Sequence, residues 1–128
     1  MAIILTVDDD PILHRILGFM LKRDNHVQLR AFSVEEALVC IEECRVDMVI
    51  LDLMMPDRSG MTLLEVLRAD NRYARLPVVM LTANGHSSHR IVAEEKGATA
   101  YLQKPTSSQE LADTISNVLH HQDVSKVS

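Results

Sequence analysis

The sequence predicts an α/β domain built on a doubly wound, five-stranded parallel sheet, and three observations predict it. Five short apolar, β-branched runs recur along the chain, and longer segments with helix-start signals separate them. Acidic, hydroxyl and basic residues stand just past the ends of those runs. Near-continuous hydrophobicity suits strands buried on both faces. Strand and helix in strict alternation then imply right-handed crossovers.

The predicted strands are Ala2–Val7, Val27–Ala31, Met48–Leu51, Pro77–Leu81 and Thr99–Leu102. Asp10-Pro11 pairs an N-cap with a proline at the first helical position and opens a helix over Ile12–Leu21. Ser33-Val34-Glu35-Glu36 and Ser107-Ser108-Gln109-Glu110 both fit a capping box. Arg58-Ser59-Gly60 is read as a turn, with Asp57 a turn residue before it, into Met61–Ala69 under a Ser59 cap. The helix near residues 86–96 has a thin apolar face and stops at Gly97, a good terminator. His120–Ser128 shows no period and reads as a polar tail or the start of a linker, residues 121–128 lying outside a domain over 2–120.

Composition narrows the function classes. A chain of 128 residues with 47% hydrophobic content suits one domain with a real core. Net charge is −5 and the thirteen basic residues are scattered, which argues against nucleic-acid binding by this chain alone. The opening MAIILTVDDD lacks a basic n-region and a cleavage site, so it reads as a strand and not a signal peptide. No apolar stretch approaches the roughly 18 residues that span a bilayer, so no membrane partner is expected and a cytoplasmic location is. Cys40 and Cys44 have no second pair beside them and read as reduced thiols. His86, His89, His120 and His121 read as solvated surface, and His14 lacks the following acidic residue of a phosphohistidine donor.

Doubly wound sheets bind ligands at the carboxyl ends of their strands. Asp8-Asp9 ends strand one, Asp52 ends strand three, Thr82 follows strand four and Lys104-Pro105 follows strand five. Two carboxylates about 4 Å apart at an effective dielectric near 20 repel by roughly 4 kcal/mol. A hard divalent cation relieves that repulsion, and an all-oxygen donor set suits Mg²⁺ or Mn²⁺ over Zn²⁺. Beside such a cation Asp52 could act as a nucleophile toward a phosphoryl group, with Lys104 and Thr82 as further contacts.

The runs Val7-Asp8-Asp9-Asp10, Leu51-Asp52-Leu53-Met54-Met55-Pro56-Asp57-Arg58-Ser59-Gly60, Leu81-Thr82-Ala83 and Lys104-Pro105 closely resemble the receiver domain of two-component response regulators. The resemblance covers about residues 2–120. It implies a (βα)5 flavodoxin-like fold with strand order 2-1-3-4-5. It further implies that Asp52 is the phosphoacceptor, charged by a histidine kinase or a histidine phosphotransfer protein. Mg²⁺ would be held by Asp8, Asp9, Asp52 and the backbone carbonyl of Met54. Thr82 and Lys104 would contact the phosphoryl group, and Thr82 and Tyr101 would form the switch. A cis peptide between Lys104 and Pro105 is implied too, as is an output protein or domain met through the fourth helix, fifth strand and fifth helix. A homodimer on that surface stays open. Thr106 stands where many relatives carry Phe, and Met54 and Asn84 occupy variable positions.

On this reading the chain is a regulatory phosphoacceptor and not an enzyme, though it assists its own phosphorylation and dephosphorylation. Two rival readings fit less well. A haloacid-dehalogenase-type phosphatase would need an acid two residues after Asp52, where Met54 stands, and a cap domain. A phosphorylation-independent docking receiver would have lost an acidic position or the lysine, and none is lost.

Overall fold

The computed structural model describes residues 1–55, 59–83 and 87–127. The readings on Asp57, Asn84 and His86 lie outside these residues. Five parallel strands are joined by helices in strict alternation. The strands are β1 (Ile3–Val7), β2 (Val27–Ala31), β3 (Met48–Leu51), β4 (Val78–Thr82) and β5 (Ala100–Gln103). The helices are α1 (Pro11–Arg23), α2 (Val34–Glu43), α3 (Gly60–Ala69), α4 (Ser87–Glu95) and α5 (Ser108–Val127). The sheet order is β2-β1-β3-β4-β5, as the sequence implied, and the chain reverses direction of travel across the sheet between β1 and β3.

Successive strand residues alternate between two cores. Leu5, Val7, Val49, Leu51, Val78 and Met80 pack with α2, α3 and Ala93 of α4. Ile4, Met48, Ile50, Val79 and Leu81 pack with Leu17 and Leu21 of α1 and with Leu111, Ile115 and Val118 of α5. The central strands β3 and β4 are buried at every position, which is why their sequences read as unbroken apolar runs.

Local chemistry sets the helix ends. Asp10 accepts from the amide of Ile12, Ser33 from Glu36 and Ser59 from Met61. The two capping boxes close on one side only. Ser33 and Ser107 cap as expected, but Glu36 reaches back to the amide of Phe32 and Glu110 to the hydroxyl of Thr106. Gly97 ends the α4 segment at φ 101°, where the amide of Ala98 bonds the carbonyl of Ala93. Helix α5 continues through the segment read as a tail, to Val127. A helix needs no apolar period where its backbone bonds continue a packed helix. In α4 only Ala93 is buried among the described side chains, while Ile91 and Val92 are exposed.

Candidate functional site

Parallel strands carry their carboxyl ends to one edge of the sheet, so residues distant in sequence meet there. Asp8 follows β1 and Asp52 follows β3, and both are buried. Asp9, one residue on, is exposed. One carboxylate oxygen from each of Asp8, Asp9 and Asp52 lies within 4.8 Å of the other two. Lys104, just past β5, reaches into this group: its Nζ donates to Asp8 Oδ2 at 2.9 Å and stands 3.5 Å from Asp52 Oδ2. The Lys104–Pro105 peptide is cis.

Each acid is also tied to backbone. The amide of Asp10 donates to Asp8 Oδ1 at 2.9 Å, and the amide of Met54 donates to Asp52 Oδ1 at 3.2 Å. Thr82, the last residue of β4, is fully buried, and its carbonyl accepts the amide of Lys104 at 2.8 Å. Tyr101 lies on β5 opposite Met80 and packs half-buried against the core shared with α2 and α3. Gly60 opens α3 so close to Asp52 that a Cβ there would stand 2.1 Å from the Asp52 carbonyl oxygen. Only a residue without a side chain fits that crossing.

The electrostatics follow from burial and neighbours. Desolvation raises the Asp52 pKa and the charge of Asp8 raises it further; the Met54 amide and Lys104 offset only part of this. Burial alone would lower the Lys104 pKa, but its bond to Asp8 and the charges of Asp52 and Asp8 outweigh that and raise it. The lysine is thus firmly cationic, and it serves as an internal counter-ion to an overcrowded set of carboxylates.

A buried network supports the site from beneath. His14 of α1 is fully buried, and its Nε2 donates to the carbonyl of Asp8 at 2.8 Å. Its Nδ1 is hydrogen-bonded to the hydroxyl of Thr6, also at 2.8 Å, and that hydroxyl stands 3.3 Å from the carbonyl of Leu29. Thr6 takes a bond from Gln28 Nε2, which also donates to the carbonyl of His14, and Phe32 lies tilted against the imidazole. His14 shares a helix face with Leu17 and Leu21, a spacing that marks it as an inward residue.

An all-oxygen group of this size at the reversal point of a doubly wound sheet can hold a hard divalent cation. Asp8, Asp9 and Asp52 fit such an ion by donor type and by mutual distance. The sequence matches the model of the response regulator receiver domain over residues 4–116, and the chain belongs to that family. It is 38% identical over 108 residues to the DNA-binding response regulator MtrA of Mycolicibacterium smegmatis, covering 84% of this chain and 46% of that protein. It is 37% identical to the transcriptional regulatory protein GltR of Pseudomonas aeruginosa, covering 97% of this chain and 51% of that one. The chain therefore spans about half the length of these curated relatives. Among solved structures, a response regulator from Chloroflexus aurantiacus superposes with a TM-score of 0.89 at 37% identity, covering 93% of this chain and 98% of that one. A CheY-like receiver domain from Methanospirillum hungatei superposes with a TM-score of 0.90 at 25% identity, covering 98% of each. No described helix is long and apolar enough to cross a membrane.

Proposed function

We propose that the chain is a phosphoacceptor switch in a two-component phosphorelay, with Asp52 as the acceptor. What carries this reading is the meeting of Asp8, Asp52 and Lys104 at the ends of three different strands, with Lys104 Nζ between the two buried carboxylates. An Asp52 oxygen attacks the phosphorus of a phosphohistidine on a histidine kinase or histidine phosphotransfer protein. The P–N bond breaks, the P–O bond of an aspartyl phosphate forms, and the imidazole leaves with its electron pair and takes up a proton. Asp8, Asp9, Asp52 and the backbone carbonyl of Met54 would hold Mg²⁺ or Mn²⁺, which when bound neutralises charge on the transferring group. Lys104 turns from its carboxylates to the phosphoryl oxygens, a charge-assisted contact that strengthens as charge builds there.

The readout runs through Thr82 and Tyr101. An aspartyl phosphate carries roughly −2 charge and three strong acceptors, and Thr82 at the end of β4 supplies a hydroxyl toward it. Tyr101 on the neighbouring strand follows, and the surface of α4, β5 and α5 changes for a downstream output protein or domain. The shallow anchorage of α4 through Ala93 suits an element that shifts easily.

Acetyl phosphate with Mg²⁺ should label Asp52, located by mass spectrometry, and Asp52→Asn should abolish the label. Undiminished labelling of that variant, or equal labelling after metal removal, refutes the assignment. Thr82→Ala should still bind beryllofluoride at Asp52 while the amide shifts of α4 shrink. Identical α4 shifts in both proteins refute the coupling.

A further inference from the structure

Away from the acidic site, a cleft of about 320 Å³ opens between α1 and β2. In a chain of net charge −5 its walls carry Arg15, Lys22 and Arg30 and no acid. Elsewhere Arg45, Arg72, Arg90, Lys96 and Lys104 each pair with a carboxylate. Among the described residues none pairs with Arg15, Lys22 or Arg30. Three cations that share one concavity without a counter-ion mark a place for an anion.

The cleft is also built in advance. Arg30 Nε donates to Gln28 Oε1 at 3.0 Å, and Gln28 is fixed by its two bonds to His14 and Thr6. No described residue accepts from the outer nitrogens of Arg30, so its fork is held in place and left to a ligand. Gly18 makes the room: a Cβ there would stand 2.7 Å from Gln28 Oε1 and 3.2 Å from Arg30 Nη2. His26 accepts the amide of Ala2 on Nδ1, and burial lowers its pKa, so its neutral ring offers one more N–H from Nε2. Phe19, 72% exposed, adds an aromatic face at the rim.

We infer that the α1–β2 cleft binds a small phosphorylated organic ligand, its phosphoryl group held by Arg15, Lys22 and Arg30 and its organic part lying against Phe19. Guanidinium forks match phosphoryl oxygens in geometry as well as charge. The volume suits a small ligand better than a folded partner. Because Gln28 links the cleft to His14, and His14 to the Asp8 carbonyl, the ligand would sit at the far end of the support under the acidic site.

The test is an amide NMR titration of the full chain with phenyl phosphate in metal-free buffer, against KCl at matched ionic strength. Metal-free conditions keep the probe from the carboxylates. Saturable shifts are expected at Gly18, Phe19 and Arg30. Arg30→Gln and Arg15→Gln should each weaken binding about tenfold, a loss typical of one charge-assisted contact. Arg45→Gln, remote from the cleft, should leave it unchanged. Gly18→Ala, which crowds the cleft without altering charge, should also weaken binding, and thermal unfolding of each variant shows that the fold persists. Shifts that match KCl, or an affinity that survives all three cleft variants, overturn the inference. Saturation of the same amides by a hexaglutamate peptide but not by phenyl phosphate overturns it too, in favour of an acidic protein partner.

Discussion

Replacing Asp52 with Asn should stabilise the metal-free protein. Its ligand oxygen lies within 4.8 Å of that of Asp8, a repulsion of about 3.5 kcal/mol at an effective dielectric near 20, and burial adds to it. Lys104, 3.5 Å away, and the Met54 amide offset most but not all of this, so the Asp52 pKa stays raised. The balance favours Asn by about 1 kcal/mol, the order of one partly screened charge contact, and Asn keeps the Oδ1 that accepts the Met54 amide. For 128 residues 1 kcal/mol is worth about 4 °C in Tm, so the variant should melt about 4 °C higher without metal. The pH dependence has a fixed sign. Because the folded-state pKa of Asp52 is raised, its ionisation costs stability above the unfolded value, and that cost disappears as pH falls. The gap between variant and wild type should therefore close on acidification. At about 100 times its Kd, Mg²⁺ should stabilise wild type by about 2.7 kcal/mol, and the variant by much less. Calorimetry with and without Mg²⁺ decides it. A variant that melts at or below wild type without metal, or gains as much from Mg²⁺, refutes this account of the site.

Three further outcomes follow from the same contacts. Lys104→Met should lower the metal-free Tm and yet tighten Mg²⁺ binding several-fold, because the lysine competes with the cation for the same oxygens; a calorimetric titration showing weaker binding would contradict it. His14→Leu should cost about 1–3 kcal/mol by orphaning the buried Asp8 carbonyl and removing one partner of the Thr6 hydroxyl, and His14→Gln should recover part of it in denaturant unfolding. Gly60→Ala should cost more than about 2 kcal/mol, since its Cβ meets fixed backbone at Asp52; an unaltered unfolding midpoint would show that α3 can move aside.

Most of the frame was legible because its signals are local. The caps at Asp10, Ser33, Ser59 and Ser107 are readable from a few residues each, and the strands from their apolar runs. Helix α1 nevertheless runs two residues past Leu21, to Arg23, since ends are set by caps and not by apolar period. The carboxylates and Lys104 were legible because parallel strands must bring their carboxyl ends together. His14 was not, for a reason of physics: a lone histidine on an amphipathic helix declares its burial only once its partners are known, and Thr6 and Gln28 come from two other elements. Nor could spacing show that Lys104 already neutralises Asp8, since that contact spans 96 residues.

The strand order has a consequence for how the protein is made. Because β1 lies between β2 and β3, three adjacent strands can form before β4 and β5 have been made. At that stage Asp8, Asp9 and Asp52 are already side by side, while Lys104 has yet to join the sheet. Those three strands alone would bring the carboxylates together without Lys104, and a cation from solution is then the counter-charge within reach. The outer edge of β3, buried on both faces in the finished fold, meanwhile waits for β4. Divalent metal should therefore matter earlier in the life of the molecule than its signalling does.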